Sequence, residues 1–176
     1  MIAHPASSAA RRVAAGAEVA PAVAVTRLDL SDFRCYRQAR IDLDPRPVAL
    51  AGPNGAGKTN LLEAVSFLAP GRGLRRAKLT EVDRIGGGAW AMAATVQTTA
   101  GEVAVGTGRD PGGEGSERRL VRIDGTPQRG QASLAGVAGV VWLTPQMDRL
   151  FLESAGGRRR FVDRLVYGFD AEHATR

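Results

Sequence analysis

Gly52-Pro53-Asn54-Gly55-Ala56-Gly57-Lys58-Thr59 fits the pattern G-x-x-x-x-G-K-[ST] at every fixed position. Glycine tolerates the positive φ angles that let such a loop curl until successive backbone N–H groups converge into a nest for phosphate oxygens. Lysine at the seventh place reaches terminal phosphates, and the hydroxyl that follows can ligate Mg²⁺. The flanks agree. Val48–Ala51 is a short apolar run expected to form a buried strand, and Leu61, Leu62, Val65 and Leu68 fall on one side of a helix over residues 59–68. The positive end of that helix adds to the nest. Strand, glycine loop and helix in this order predict an α/β fold and nucleotide binding.

Upstream, residues 23–30 alternate as a strand does, a polar break stands at Ser31-Asp32, and a second short strand is expected over 39–43. Asp44-Pro45-Arg46-Pro47 is a turn that cannot continue a ladder. Downstream, Ala69-Pro70-Gly71 ends the helix, and Arg72, Arg75, Arg76 and Lys78 follow with no acid before Glu81. Trp90, Met92, Ala94 and Val96 alternate as one strand, Ala100-Gly101 turns, and residues 102–107 return as its hairpin partner. Arg118–Ile123 reads as a strand closed by Asp124-Gly125-Thr126-Pro127, and Val140–Leu143 as a further buried strand. Helical patterns cover 147–152 and 158–169, the latter with Phe161, Leu165 and Phe169 one turn apart. A single α/β domain over 23–176 is the expectation. Residues 1–22, rich in Ala and Ser, read as a disordered N-terminal extension.

Composition narrows the class. A net charge of +6, from 24 Lys+Arg against 18 Asp+Glu, favours phosphate-bearing partners. No apolar run approaches the roughly 18 residues of a membrane span. The single cysteine, Cys35, excludes an internal disulfide and fits a reducing, cytoplasmic interior. His4 and His173 share no metal-ligand spacing with it.

The loop and its continuation, Pro53-Asn54-Gly55-Ala56-Gly57-Lys58-Thr59-Asn60, resemble ABC-type ATPases, especially the SMC and RecF branch. Leu30-Ser31-Asp32-Phe33-Arg34-Cys35-Tyr36 resembles the branch's short motif of phenylalanine, a basic residue, any residue and an aromatic. Residues 68–75, and 143–151 followed by Arg158-Arg159-Arg160-Phe161-Val162-Asp163, resemble the RecF family itself. The resemblance implies a P-loop NTPase of the ABC-ATPase-head type, a mixed β-sheet with flanking helices, carrying ATP and Mg²⁺. It implies that Gly52 through Asn60 hold the nucleotide, with Arg34 a further candidate contact. Thr59 and Gln146 would serve Mg²⁺, and Gln146 would also touch the attacking water.

The same resemblance implies DNA binding at single-stranded, gapped or junction sites, in support of recombinational repair, replication restart and the SOS response. An ATP-dependent homodimer and recombination mediator proteins are the implied partners, with no membrane. The residues support DNA binding only through charge: Arg72, Arg75, Arg76 and Lys78 form one basic group, and Arg158, Arg159, Arg160 and Arg164 a second. Such a head also needs an apolar strand ending in Asp-Glu and a Leu-Ser-x-Gly signature, and neither is in this sequence. The expectation is therefore an N-terminal fragment of a weak, DNA-linked ATPase, with little hydrolysis of its own. An ABC transporter subunit is the alternative. It would favour an aromatic residue just before the loop, and residues 42–51 contain none. A small-molecule P-loop kinase is a third reading.

Overall fold

The computed structural model describes residues 23–112, 116–145, 147 and 155–167. Its centre is a six-stranded sheet in the order β2-β1-β3-β4-β5-β6. The strands are β1 (Ala24–Phe33), β2 (Tyr36–Asp42), β3 (Ala91–Thr98), β4 (Gly101–Arg109), β5 (Arg119–Ile123) and β6 (Thr126–Pro127). Three α-helices accompany it: α1 (Lys58–Ser66), α2 (Leu79–Val82) and α3 (Ala155–Tyr167). A 3-10 turn covers Gln131–Gly136.

Alternation sets the register. Leu28, Ala94, Val105 and Ile123 lie opposite one another across four strands, and Leu30, Met92, Thr107 and Val121 form the next row. These rows line the covered face, while Ala91, Ala93, Gln97, Ala104 and Arg122 on the other face are exposed. A one-sided pattern of this kind suits an antiparallel sheet, and every described strand pair is antiparallel. Phe33, Phe67 and Trp90 join the sheet to the end of α1. Their ring centroids stand 4.8 Å apart for Phe67 and Trp90, and 5.5 Å for Phe33 and Trp90. The buried indole N–H of Trp90 donates to the Leu79 carbonyl at 3.0 Å, so this core leaves no polar cost there.

Four expectations need correction or refinement. Val48–Ala51 forms no strand: Val48 is 49% exposed, and no described strand lies beside it to complete a ladder. Val140–Leu143 is likewise unpaired, with Leu143 74% exposed. A run that is apolar throughout needs a neighbour on each side to bury it, and neither run has one among the described residues. The polar break at Ser31-Asp32 does not end β1, because the Asp32 carboxylate is taken up by Arg84 at 2.8 Å and by the Gly88 N–H at 3.2 Å. On α1, Leu62 points out at 55% exposure while Glu63 is wholly buried. The expected helix over 147–152 lies largely outside the described residues.

Candidate nucleotide-binding site

Residues 52–57 leave the turn after β2 and enter α1 with no side-chain cap, so the first N–H groups of the helix face the loop's interior. Gly55 at φ 82° and Gly57 at φ 91° make the curl. At Gly57 a close approach adds to the requirement. A side chain there would meet the Tyr36 ring carbon bearing the hydroxyl at 2.8 Å and the Cys35 Sγ at 3.1 Å. The β1–β2 hairpin thus presses against the back of the loop. Burial beside Cys35 raises the Tyr36 pKa, so its hydroxyl keeps its proton.

A cavity of about 290 Å³ opens on the other side, lined by Asn54 through Asn60 and by Arg75. Its wall carries two cations, Lys58 and Arg75, and no acid. The backbone N–H groups of Gly55, Gly57, Lys58 and Thr59 have no hydrogen-bond partner among the described residues. Lys58 Nζ donates to the carbonyls of Gly52 at 2.7 Å and Pro53 at 2.8 Å, which curls its positive charge over the loop. Unpaired N–H groups, two cations and a helix N-terminus together fit a polyphosphate. The exposed Thr59 hydroxyl is the oxygen donor nearest the lysine in sequence that fits Mg²⁺.

Behind the cavity lies a network that hydropathy alone conceals. Arg34 grips Glu63 with two donors, Nε to Oε2 at 2.8 Å and Nη2 to Oε1 at 2.7 Å. Its third donor reaches the Glu81 carbonyl at 2.6 Å. Arg75 Nη1 donates to Glu63 Oε2 at 2.8 Å and to Asn60 Oδ1 at 2.9 Å. A buried carboxylate is tolerable only when paired in this way. Arg75 therefore lines the cavity from a fixed base, and Arg34 stands one residue behind it. An acid among apolar positions on a helix, with two basic motifs nearby, was the available sequence signal for Glu63.

The other basic candidates separate. Arg72, Arg76 and Lys78 are exposed, and Lys78 precedes α2 with its N–H on Glu81 at 3.3 Å. In the second group, Arg158 is half-buried and Arg159 exposed, while the side chains of Arg160 and Arg164 lie outside the described set. Gln146 also lies outside it. A residue missed in sequence is Arg119, whose guanidinium is almost enclosed by carbonyls of Phe67, Ala69 and Gly71 and by Thr107. Burial pulls its pKa down to about 10, so it still carries its charge at neutral pH. That charge sits at the carbonyl end of α1, opposite the phosphate loop.

A family model described as the RecF/RecN/SMC N terminal domain matches residues 24–119, more than half of the chain. The chain belongs to this family. Among curated relatives, the DNA replication and repair protein RecF of Agrobacterium fabrum (strain C58) is 53% identical over 156 residues, covering 88% of this chain and 41% of the relative. The protein of the same description from Rhizobium meliloti (strain 1021) is 52% identical over 155 residues, with the same coverage. The chain thus spans 41% of the length of these relatives. A solved structure of the recombination mediator protein RecF-ATPrS in the RecFOR pathway superposes with a TM-score of 0.71 at 19% identity, covering 84% of this chain and 39% of that one. A second, of RecF-ATP, gives 0.69 at 19% identity. The fold of this RecF/RecN/SMC domain is that of the matching part of these solved RecF structures, with the antiparallel sheet and the phosphate-loop helix as the described part. No helix among the described residues is long and apolar enough to cross a membrane.

Proposed function

We propose that this chain is the ATP-binding portion of a RecF-type DNA replication and repair protein. The observation that carries the reading is the cavity at residues 54–60, walled by Lys58 and Arg75 without any acid, in a domain of the RecF/RecN/SMC family. In this reading Gly52, Pro53, Asn54, Gly55, Ala56, Gly57, Lys58, Thr59 and Asn60 cradle the triphosphate. Thr59, with Gln146, holds Mg²⁺, which supplies charge neutralisation at the phosphates. Gln146 also orients water. Arg34 serves the site by holding Glu63, and so Arg75, in place.

The whole protein would bind single-stranded, gapped or junction DNA in its ATP-bound state, as a homodimer acting with recombination mediator proteins in the cytoplasm. Of the basic group after α1, Arg72, Arg76 and Lys78 supply phosphate contacts to that DNA, while Arg75 is taken up by Glu63 and Asn60 at the nucleotide cavity. Hydrolysis would be slow and need residues beyond this chain. The similarity to RecF proteins, one of them solved with ATP, supports this reading over a transporter subunit.

The test has two parts. Titration of the chain with a fluorescent ATP analogue should show Mg²⁺-dependent binding that Lys58→Ala abolishes. A longer RecF-type protein containing this chain should bind gapped DNA only with ATP. Binding indifferent both to ATP and to Lys58→Ala would end the proposed coupling.

A further inference from the structure

The sequence holds two asparagines, Asn54 and Asn60, on either side of Lys58. The structure treats their amides in opposite ways. Asn60 is half-buried, its Nδ2 donates to Cys35 Sγ at 3.1 Å, and its Oδ1 accepts from Arg75 at 2.9 Å. The N–H that follows it, of Leu61, is spent on the Gly57 carbonyl at 3.1 Å. Asn54 is exposed, and its side chain has no hydrogen-bond partner among the described residues. The N–H that follows it belongs to Gly55, which is likewise unpaired there and carries no side chain to shield it. A methyl group on Gly55 would meet no heavy atom within 4 Å, so the space around that peptide is open.

An asparagine amide followed by an unhindered glycine N–H carries its own nucleophile. Attack requires that N–H to lose its proton, and requires the oxyanion that develops on the amide to be stabilised. Positive potential favours both. Asn54 and Gly55 stand where such potential gathers: the uncapped N-terminus of α1, with Lys58 and Arg75 on the cavity wall and no acid. Lys58 Nζ lies 2.8 Å from the carbonyl oxygen of Pro53, the residue before Asn54. The Ala56 N–H closes the turn on that same carbonyl at 3.3 Å, a long bond that yields readily to rotation about Asn54. The features that make a nest for phosphate therefore also favour ring closure within it.

We infer that Asn54 is a modification site, where attack by the Gly55 nitrogen on the Asn54 side-chain carbonyl carbon spoils the cradle for phosphate. The inference rests on the nucleotide-binding reading above and adds a way in which the nucleotide-free protein ages. The Gly55 N–H gives its proton to water, a bond forms from that nitrogen to Cγ, and the Cγ–Nδ2 bond breaks with release of ammonia. Water then opens the succinimide ring. Opening at Cγ leaves aspartate, and opening at the main-chain carbonyl carbon leaves isoaspartate, whose backbone runs through the former side chain. One water is consumed and one ammonia released, with no change of oxidation state. Either product sets a carboxylate in a wall that has no acid, where it answers Lys58 and the loop N–H groups in place of phosphate. A bound nucleotide opposes the reaction, because its phosphate oxygens take up the Gly55 N–H and neutralise the potential that activates it.

The test is incubation of the full 176-residue chain at mildly alkaline pH in heavy-oxygen water, with and without Mg²⁺ and a non-hydrolysable ATP analogue. Tryptic cleavage after Lys58 places the two asparagines in separate peptides for mass spectrometry. Asn54 should convert over days, each product gaining one heavy oxygen, while Asn60 in the same sample stays intact. The analogue should slow conversion several-fold, and affinity for a fluorescent ATP analogue should fall in step with conversion. Asn54→Asp, made directly, should bind that fluorescent analogue roughly tenfold more weakly than fresh wild type, because it sets a like charge beside the phosphates. Asn54→Ser should hold its own starting affinity throughout the incubation. Conversion of Asn54 no faster than that of Asn60 overturns the inference, as does conversion unaffected by an analogue that binds. Affinity that decays equally in Asn54→Ser overturns the link between modification and lost binding. A fresh wild-type chain that binds no analogue defeats the nucleotide-binding reading instead, and the rates at Asn54 and Asn60 then decide the modification alone.

Discussion

Arg34 and Glu63 meet side by side, two donors on two oxygens at 2.8 and 2.7 Å, with the Glu63 side chain wholly excluded from solvent. The pair ties the β1–β2 hairpin to the middle of α1, and Arg75 extends it to the segment that follows. Removing the acid leaves the largely buried Arg34 guanidinium without its counter-charge, whereas Arg75, 41% exposed, can turn to water. Glu63→Ala should therefore cost about 3–5 kcal/mol of folding stability, read as a fall in the urea midpoint. Glu63→Gln, which keeps the volume and one acceptor, should cost less. Equal stability of the wild type and Glu63→Ala would show that the pair does not hold this face.

Arg119 predicts a second loss of similar kind. Its donors meet the carbonyls of Phe67, Ala69 and Gly71, and its plane lies 5.1 Å from the Phe67 ring. Arg119→Met keeps the stem but leaves those carbonyls without a donor, at about 1–3 kcal/mol per unsatisfied group. Arg119→Lys should recover little, since an ammonium lacks the planar fork that reaches several acceptors at once. Chemical denaturation of the three proteins decides the matter.

How much of this was readable beforehand differs by element. The hairpins β1–β2 and β3–β4 followed from alternation, since a one-residue slip would bury Ala93 and expose Met92. The phosphate loop followed from its glycines and lysine. Glu63 did not, because a helical hydropathy pattern counts an acid as solvent-facing until its arginine partners are placed. Nor did Arg119, whose acceptors lie some 50 positions away in the chain. The runs at 48–51 and 140–143 were legible as apolar but not as unpaired, because pairing depends on neighbouring strands and not on the run itself.

Gly57 is a steric requirement as well as a conformational one. Gly57→Ala forces a methyl against Tyr36 while holding φ near 91°, and should abolish binding of a fluorescent ATP analogue. Tyr36→Ala in the same chain removes the collision but not the left-handed strain. The double variant should recover part of the lost stability and little of the binding, a split visible by measuring thermal midpoint and analogue affinity together.

Acid should loosen the loop at 84–88 before the sheet. The Arg84 guanidinium, then the Gly88 N–H, hold the Asp32 carboxyl below its ordinary pKa. A lowered native pKa means that the contribution is complete above the unfolded value and is lost as pH falls through the native one. Burial opposes ionisation of Glu117, but the N–H groups of Leu79 and Thr80 and the Thr80 hydroxyl outweigh it, so its net shift has the same sign. Hydrogen exchange at Gly88 should quicken below the ordinary carboxylate range, and Asp32→Asn should make that rate independent of acid titration. Acid-sensitive exchange surviving in Asp32→Asn would assign the effect to another group.

Val48, Val141 and Leu143 are 49%, 44% and 74% exposed, and no strand among the described residues covers them. Large apolar side chains on unpaired backbone are a ready template for association, because both the hydrophobic surface and the free N–H and C=O groups gain by pairing. The 176-residue chain should therefore self-associate with rising concentration and bind a hydrophobic dye. Leu143→Lys combined with Val48→Lys should suppress both in sedimentation and dye measurements. Because these side chains lie outside the core of Leu28, Phe33, Phe67 and Trp90, the thermal midpoint should barely move. A drop of many degrees in the midpoint would mean that these runs are packed in solution, against the exposure seen in the structure.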